Sequence, residues 1–279
     1  MEADAFRAFE RAGWESIPEQ YHQAFSELTT QSVAPLLDAA RVRAGMRVLD
    51  VASGPGYVAA AAAKRGAKVV AVDFSSAMVV QARRRYPQIE FQEGDAEALR
   101  FPDASFDAVV MNYGLLHLAR PEAALAEACR VLRSGAGFAF TVWAPPERTA
   151  GFGVVLRAIQ KHGNMQVPVP AGPPFFRFGD PAECARSLRS AGFVDPSVTT
   201  VSQLWRVASP DALFEIMLHS TVRTGALLRA QAPAALQVIR EAVREEAVAY
   251  RKGAAIELPM PAILASACKG PRHSETDDD

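Results

Sequence analysis

The chain has 279 residues, of which 49% are hydrophobic and 22% are charged, so it has ample material for a buried core and lies outside the composition of disordered proteins. Its 30 basic and 31 acidic residues leave a net charge of -1, which makes nucleic acid an unfavoured partner. At this length we expect one core domain with a large insertion or cap.

Residues 1–40 are predicted to form a helical cap, because apolar residues recur at near-helical spacing on either side of Pro18. Charged residues scattered through 2–15 interrupt any signal-peptide core. The longest apolar stretch, 48–63, contains Asp50 and Pro55, which a membrane span would not tolerate. We therefore expect a cytoplasmic protein without a membrane span.

Residues 41–145 alternate between strand-like apolar runs and helical segments, which predicts a doubly wound α/β core with a parallel sheet covered on both faces. The predicted strands are 47–51, 68–72, 89–93, 106–112 and 137–143, and the predicted helices are 58–65, 76–86 and 121–132.

The second half is predicted to continue the core and to add a lid. Residues 146–208 should hold a lid segment, a helix at 182–191 after Asp180-Pro181, and a strand at 197–207. Residues 209–254 read as a helical lid insertion, 255–270 as a final strand that returns to the core, and 271–279 as a disordered tail.

The predicted strand 47–51 runs into a turn that contains Gly54 and Gly56 and leads into a helix. Glycine permits a sharp turn and a close approach of a ligand to the backbone. The next strand ends at Asp73, about twenty residues further on, where an acid can accept both ribose hydroxyls of a nucleoside. This pairing predicts a nucleotide-like ligand.

Asp50 distinguishes between two such ligands. The glycines with Asp73 also fit a nicotinamide dinucleotide, but a carboxylate at Asp50 would lie beside the pyrophosphate and repel it. S-adenosylmethionine (SAM) has no phosphate, and its sulfonium and ammonium groups favour an acid there. Asp95, after the following strand, could accept from the adenine amine, although an Asx-type turn would explain it equally well.

These motifs together resemble the class I SAM-dependent methyltransferases, and are most similar to the ubiquinone/menaquinone-biosynthesis-type group. The resemblance is carried by 48–57, 71–75, 94–97 and 106–109. It implies a Rossmann-like, seven-stranded, mostly parallel sheet with an antiparallel last strand, and SAM as the cofactor. One departure is Ala52, where many members have glycine.

The expected cofactor-binding residues follow from these segments, with Phe74 and Met78 beside the adenine and Tyr21 closing over the methionine end. The full expected set is Tyr21, Asp50, Ala52, Ser53, Gly54, Gly56, Asp73, Phe74, Met78, Asp95, Ala96 and Asn112. Simple capping by the acids and simple packing by Phe74 and Met78 are the competing interpretations.

His117 is the candidate catalytic residue, because it follows the fourth predicted strand at the ligand-binding edge of the sheet. A helix-capping or satisfied core histidine is the alternative. Apolar residues of the lid could line a substrate pocket or simply form the core of the lid, and His219 and Arg223 could face a polar substrate group or solvent. These apolar residues are Phe175, Phe176, Phe178, Trp205, Phe214 and Met217.

The sequence thus predicts an enzyme that transfers a methyl group from SAM to an oxygen, carbon or nitrogen of a small, apolar or aromatic molecule, with no metal. Two alternatives stay open: an NAD(P)-dependent oxidoreductase, and a SAM-binding protein without catalysis. The oligomeric state and the methylated atom are not predicted.

Overall fold

A computed structural model describes residues 2–271 of the chain. The disordered tail predicted for 271–279 lies, from residue 272 onward, outside these described residues. Among the residues that are described, no helix combines the length and the apolar character that crossing a membrane requires.

Two β-sheets form the strand framework. The strands are β1 (Arg47–Val51), β2 (Lys68–Asp73), β3 (Glu90–Glu93), β4 (Phe106–Asn112), β5 (Leu132–Trp143), β6 (Phe193–Val201), β7 (Leu204–Val207), β8 (Arg251–Lys252), β9 (Ala255–Pro259) and β10 (Ala262–Lys269). The large sheet has seven strands in the order β3-β2-β1-β4-β5-β10-β6. Strand β10 runs antiparallel to both of its neighbours, and the other adjacent pairs are parallel. The predicted doubly wound, mostly parallel sheet with an antiparallel last strand is confirmed.

Helices cover both faces of this sheet and one of its ends. They are α1 (Glu2–Ser16), α2 (Pro18–Thr29), α3 (Val33–Ala39), α4 (Tyr57–Lys64), α5 (Ser76–Arg85), α6 (Pro121–Val131), α7 (Ala150–His162), α8 (Pro181–Ser190), α9 (Pro210–His219), α10 (Arg223–Arg229) and α11 (Pro233–Ala247). Proline at the first helical position starts α2, α6, α8, α9 and α11, because its fixed φ suits a helix and it has no N–H to leave unpaired.

The core lies on both faces of the large sheet because alternate residues of a strand point to opposite sides. Leu49 and Val51 of β1 pack into one cluster with the rings of β5, whereas Val48 packs with α3 and α4 on the other face. Such two-sided burial explains why apolar residues occupy consecutive positions in β1, at 48–49, and in β4, at 108–111.

The helices α1 and α2 cap the end of the sheet where its parallel strands finish. The Glu15 carboxylate accepts hydrogen bonds from the backbone N–H groups of Ser76 (2.7 Å) and Ala77 (2.9 Å), at the start of α5. The Asn112 side-chain amide donates to the backbone oxygen of Thr29, at the end of α2 (3.1 Å). The cap is therefore tied to both sides of the ligand-binding edge.

The prediction of one strand at 197–207 is wrong, and the final strand predicted for 255–270 is divided between two sheets. The chain leaves the large sheet after Val201, and β7 pairs instead with β9 in a separate three-stranded antiparallel sheet. Gln203 stabilises the chain between β6 and β7, because its side chain donates to the Leu28 backbone oxygen (3.0 Å) and accepts from the Tyr113 hydroxyl (2.5 Å). Only 262–269 rejoins the large sheet. The predicted lid helices are present as α9 to α11, whereas α7 was not predicted.

Candidate active site

The turn after β1 leaves open space beside its backbone. Gly54 has a φ of +50°, and a Cβ placed on it would meet no atom within 4 Å. Gly56 has a φ of +87°, but a Cβ there would lie 2.7 Å from the Phe91 ring. Gly54 therefore borders the ligand space, whereas Gly56 is needed for packing and lies outside the cleft.

Ala52 adopts a backbone conformation that favours glycine. Its φ is +53°, and an L-residue with a Cβ is strained by roughly 1–2 kcal/mol there. Its methyl group also occupies the space beside Gly114, where an added Cβ would lie 2.6 Å from it. Alanine at position 52 is therefore tolerated because residue 114 is glycine, and it carries backbone strain.

Asp50 is buried at the end of β1 and only half satisfied. Its Oδ2 accepts a hydrogen bond from the backbone N–H of Ala59 (2.9 Å), whereas its Oδ1 has no partner among the described residues. Burial raises the pKa of this carboxyl to about 8, although the bond from Ala59 lowers it. A buried acceptor without a partner costs free energy, so a donor or a cation from a ligand would be favourable there.

Asp73, at the end of β2, braces the turn. Its Oδ2 accepts from the backbone N–H of Gly54 (2.8 Å) and its Oδ1 from that of Ser75 (2.9 Å). Burial raises the pKa of Asp73 to about 6, and these two bonds oppose the shift. Each carboxylate oxygen can accept a second hydrogen bond, so two acceptor positions remain for a ligand.

The side chains of Asp95 and Asn112 already accept hydrogen bonds from other residues of the protein. The Asp95 Oδ1 accepts from the Glu97 backbone N–H (2.8 Å), which is the Asx-type turn weighed above. The Asn112 Oδ1 accepts from the hydroxyls of Ser32 (2.9 Å) and Thr141 (2.5 Å). Both residues line the cleft, but the Asn112 amide serves first to hold the cap against the sheet.

One cleft of about 830 Å³ brings the predicted residues together at the ends of the strands. The predicted residues that line it are Tyr21, Asp50, Ala52, Ser53, Gly54, Asp73, Phe74, Met78, Asp95, Ala96, Asn112 and His117. Of the predicted set, Gly56 alone is absent from this lining. The Oγ atom of Ser53 is buried without a partner among residues 2–271, so the cleft holds a second unsatisfied polar atom beside Asp50.

The cap closes one side of this cleft with aromatic rings. Trp14 of α1 and Tyr21 of α2 make an edge-to-face contact, with their ring centroids 5.1 Å apart. Burial raises the pKa of Tyr21 to about 12, so its hydroxyl stays protonated and can donate a hydrogen bond.

A second cavity of about 460 Å³ adjoins the cleft, and Trp14, Tyr21, Tyr113 and His117 line both. Its remaining wall consists of the rings of Phe25, Trp143, Phe152 and Phe175 and of the polar segment 220–224. Of the apolar lid residues expected in a pocket, Phe175 is there. Phe176, Phe178, Trp205, Phe214 and Met217 pack in or against the core instead.

Arg223 and His219 were both candidates to face a polar substrate group, but only Arg223 lines the second cavity. Arg223 lines the second cavity, with its guanidinium over the rings of Phe6 and Phe175. His219 is exposed and lies 3.4 Å from the carboxylate of Glu215, away from the cavity. The helical spacing of four that joins them in the sequence is broken between α9 and α10.

Glu10 of α1 was missed by the sequence reasoning. It is fully buried, and its Oε2 lies 3.0 Å from the His117 Nδ1 and accepts from the Trp14 indole N–H at 3.1 Å. In the sequence it resembles any acid on an amphipathic helix, because its partner His117 lies 107 positions away. No cluster of His, Cys, Asp or Glu within residues 2–271 is arranged to hold a metal ion.

Comparison with known proteins agrees with this geometry. Residues 49–140 match the protein-family model described as "Methyltransferase domain". A demethylmenaquinone methyltransferase of Beutenbergia cavernae is 45% identical over 121 residues, which cover 42% of this chain and 50% of that protein. One of Thermus thermophilus is 40% identical over 127 residues, covering 43% and 57%. The chain spans about half the length of the curated relatives it matches.

Solved structures establish the fold. The YcgJ protein of Bacillus subtilis superposes with a TM-score of 0.55 at 19% identity, covering 86% of this chain and 98% of that one. A phosphoethanolamine N-methyltransferase 2 of Haemonchus contortus, in complex with S-adenosyl-L-methionine, has a TM-score of 0.55 at 18% identity, covering 91% and 57%.

Proposed function

We propose that the protein is a SAM-dependent enzyme that methylates an oxygen, carbon or nitrogen of a small, apolar or aromatic molecule, because residues 49–140 match the family model described as "Methyltransferase domain". The observation that carries this proposal is the pair of cavities that share a wall. One cavity has buried acids and an open glycine, and the other has aromatic walls. A methyl donor in the first cavity would then face an acceptor in the second.

The residues of the cleft fit SAM. The two free acceptor positions of Asp73 suit the ribose hydroxyls, and the unsatisfied Oδ1 of Asp50 suits the cationic methionine end, directly or through water. The space beside Gly54 lets a ligand approach the backbone. Asp95 and Ala96, with Phe74 and Met78, would surround the adenine.

SAM supplies a methyl group on a sulfonium, and its transfer is an in-line displacement that needs alignment and the exclusion of water. The cap residues Trp14 and Tyr21 provide both, because they border the two cavities at their junction. Water held there would compete with the acceptor for the methyl group. His117 stands in the same wall and is the candidate general base.

The relatives support an aromatic acceptor, because those named above are demethylmenaquinone methyltransferases. The aromatic wall of the second cavity supports the same class. The near-neutral charge of the protein gives nucleic acid no broad electrostatic attraction. A cytoplasmic location is also part of the proposal. The match of residues 49–140 to a methyltransferase family model disfavours the alternative of a nicotinamide-dependent oxidoreductase.

Parallel thermal-shift titrations with SAM, S-adenosylhomocysteine and NADH test the proposal. A ligand that binds the folded state raises the melting temperature by mass action. We expect a concentration-dependent rise with the first two ligands and none with NADH. A rise with NADH and none with S-adenosylhomocysteine would refute the proposed function.

A further inference from the structure

His117 occupies a position between the two cavities that suits proton transfer. It lines both, and its ring makes edge-to-face contacts with Trp14 (4.8 Å between centroids) and Phe175 (5.7 Å). Its Nδ1 is bound to Glu10, whereas its Nε2 has no hydrogen-bond partner in the described part of the chain. One nitrogen is thus anchored and the other is free.

Glu10 fixes which nitrogen carries the proton. An ionised carboxylate only accepts hydrogen bonds, so the Nδ1 of His117 must hold the hydrogen and Nε2 must hold the lone pair of the neutral ring. The second donor to the same Oε2 is the Trp14 indole, which fixes the carboxylate in turn. The Nε of Arg223 lies 3.9 Å from the other oxygen of Glu10, which has no hydrogen-bond partner among the described residues.

The second cavity matches a flat, aromatic ligand. Most of its lining is aromatic, and such rings favour stacked or edge-to-face contacts with a flat ligand. Segment 220–224 adds hydroxyls and the Arg223 guanidinium on the remaining side. His117 lines this cavity at its border with the cofactor cleft.

We propose that the second cavity binds a phenol, and that His117, positioned by Glu10, removes the proton from its hydroxyl so that the phenol oxygen is methylated. This inference rests on the proposed function, because it assumes SAM in the neighbouring cleft. His117 is the catalytic residue of the proposal, and Glu10 is a positioning residue that acts through it.

The step is balanced without any further reactant. The phenol oxygen forms a bond to the methyl carbon of SAM while its O–H proton passes to the Nε2 of His117. The carbon–sulfur bond breaks, and its electron pair stays on sulfur, which leaves neutral S-adenosylhomocysteine. The imidazolium then returns its proton to solvent when the cap opens and the products leave. A positioned base of this kind contributes roughly 10²–10⁴-fold to the rate.

The acidity of the acceptor gives a test that a purely structural role would not affect. The probes are 1-naphthol, which is protonated at neutral pH, and 4-nitro-1-naphthol, which ionises without help. The variants are His117→Asn, which keeps an amide near Glu10 but has no Nε2, and Glu10→Gln, which removes the charge that fixes the tautomer. Glu19→Gln is the matched control, because it makes the same change at an exposed position of the cap.

We expect both variants to lower kcat for 1-naphthol by about 10²-fold, and for 4-nitro-1-naphthol by less than about fivefold. Their affinity for S-adenosylhomocysteine should stay within threefold of the parent's, and Glu19→Gln should behave as the parent does. Mass spectrometry should identify the methyl ether. If Glu10→Gln does not fold, His117→Asn carries the test alone, since its side chain is partly exposed.

Three results would overturn the inference: equal losses with both naphthols, methylation on a ring carbon, or a parent protein that binds S-adenosylhomocysteine but methylates neither naphthol. A parent protein that does not bind S-adenosylhomocysteine at all would instead refute the proposed function. The two failures are therefore distinguishable.

Discussion

Asp73→Ala should weaken the binding of S-adenosylhomocysteine strongly. Each oxygen of this carboxylate is bound to one backbone N–H and can accept one more bond, so two bonds to ribose hydroxyls would be lost. Hydrogen bonds to a charged group contribute about 1.5–3 kcal/mol each, which sums to about 3–6 kcal/mol. At about 1.4 kcal/mol per tenfold, calorimetry should show an affinity reduced by about 10²–10⁴-fold.

The same substitution also removes the two bonds that brace the turn, so a control must separate folding from binding. Ser75→Ala removes the hydroxyl that accepts from the Met78 backbone N–H at 3.2 Å and leaves the cleft intact. It should lower the free energy of unfolding by about 1 kcal/mol without altering the affinity. A folded Asp73→Ala variant with an affinity within threefold of the parent's would show that Asp73 only braces the turn.

Three further outcomes are expected. Because the pKa of Asp73 is raised to about 6, only about a tenth of this carboxyl is ionised at pH 5, and the calorimetric affinity for S-adenosylhomocysteine should be about tenfold weaker there than at pH 7, where Asp50, with a pKa of about 8, is still largely protonated. Equal affinities at the two pH values would contradict a role for the Asp73 carboxylate. Ala52→Gly should leave the free energy of unfolding in urea unchanged or raise it by up to about 1 kcal/mol, because it relieves the strain at φ +53°. A loss above about 1 kcal/mol would show that the packing of the Ala52 methyl group beside Gly114 contributes more than the relief of backbone strain. Deletion of residues 2–16 removes only two buried side chains, those of Phe6 and Glu10, so the protein should still unfold cooperatively but retain S-adenosylhomocysteine poorly in equilibrium dialysis; full retention would show that α1 does not close the cleft.

Local signals were sufficient to predict which residues line the cleft at the ends of the strands. Asp50, Gly54 and Asp73 lie at the ends of two adjacent strands, and the strand–turn–helix pattern around them is encoded within about thirty residues. The alternation of apolar runs with helices predicted the parallel part of the sheet for the same reason. Gly56 does not line the cleft, and a Cβ there would lie 2.7 Å from the Phe91 ring, a contact that only the folded chain reveals.

Features that depend on distant pairing could not be predicted. The strand β7 continues the apolar pattern of β6, so the break between them has no local signal, and its partner β9 lies some fifty residues away. Glu10 could not be identified because its partners, His117 and Arg223, lie far from it in the sequence. The aromatic lid residues were identified as a group, but composition alone does not tell Phe175, which lines the cavity, from Phe214, which is in the core.

A crystal structure of the complex with S-adenosylhomocysteine tests the central claim most directly. We predict that both ribose hydroxyls lie within hydrogen-bond distance of the Asp73 carboxylate, that the methionine end lies near Asp50 and Gly54, and that the sulfur faces the border with the second cavity, where Trp14 and His117 stand. A ligand bound elsewhere, or one whose sulfur faces away from the second cavity, would contradict the account.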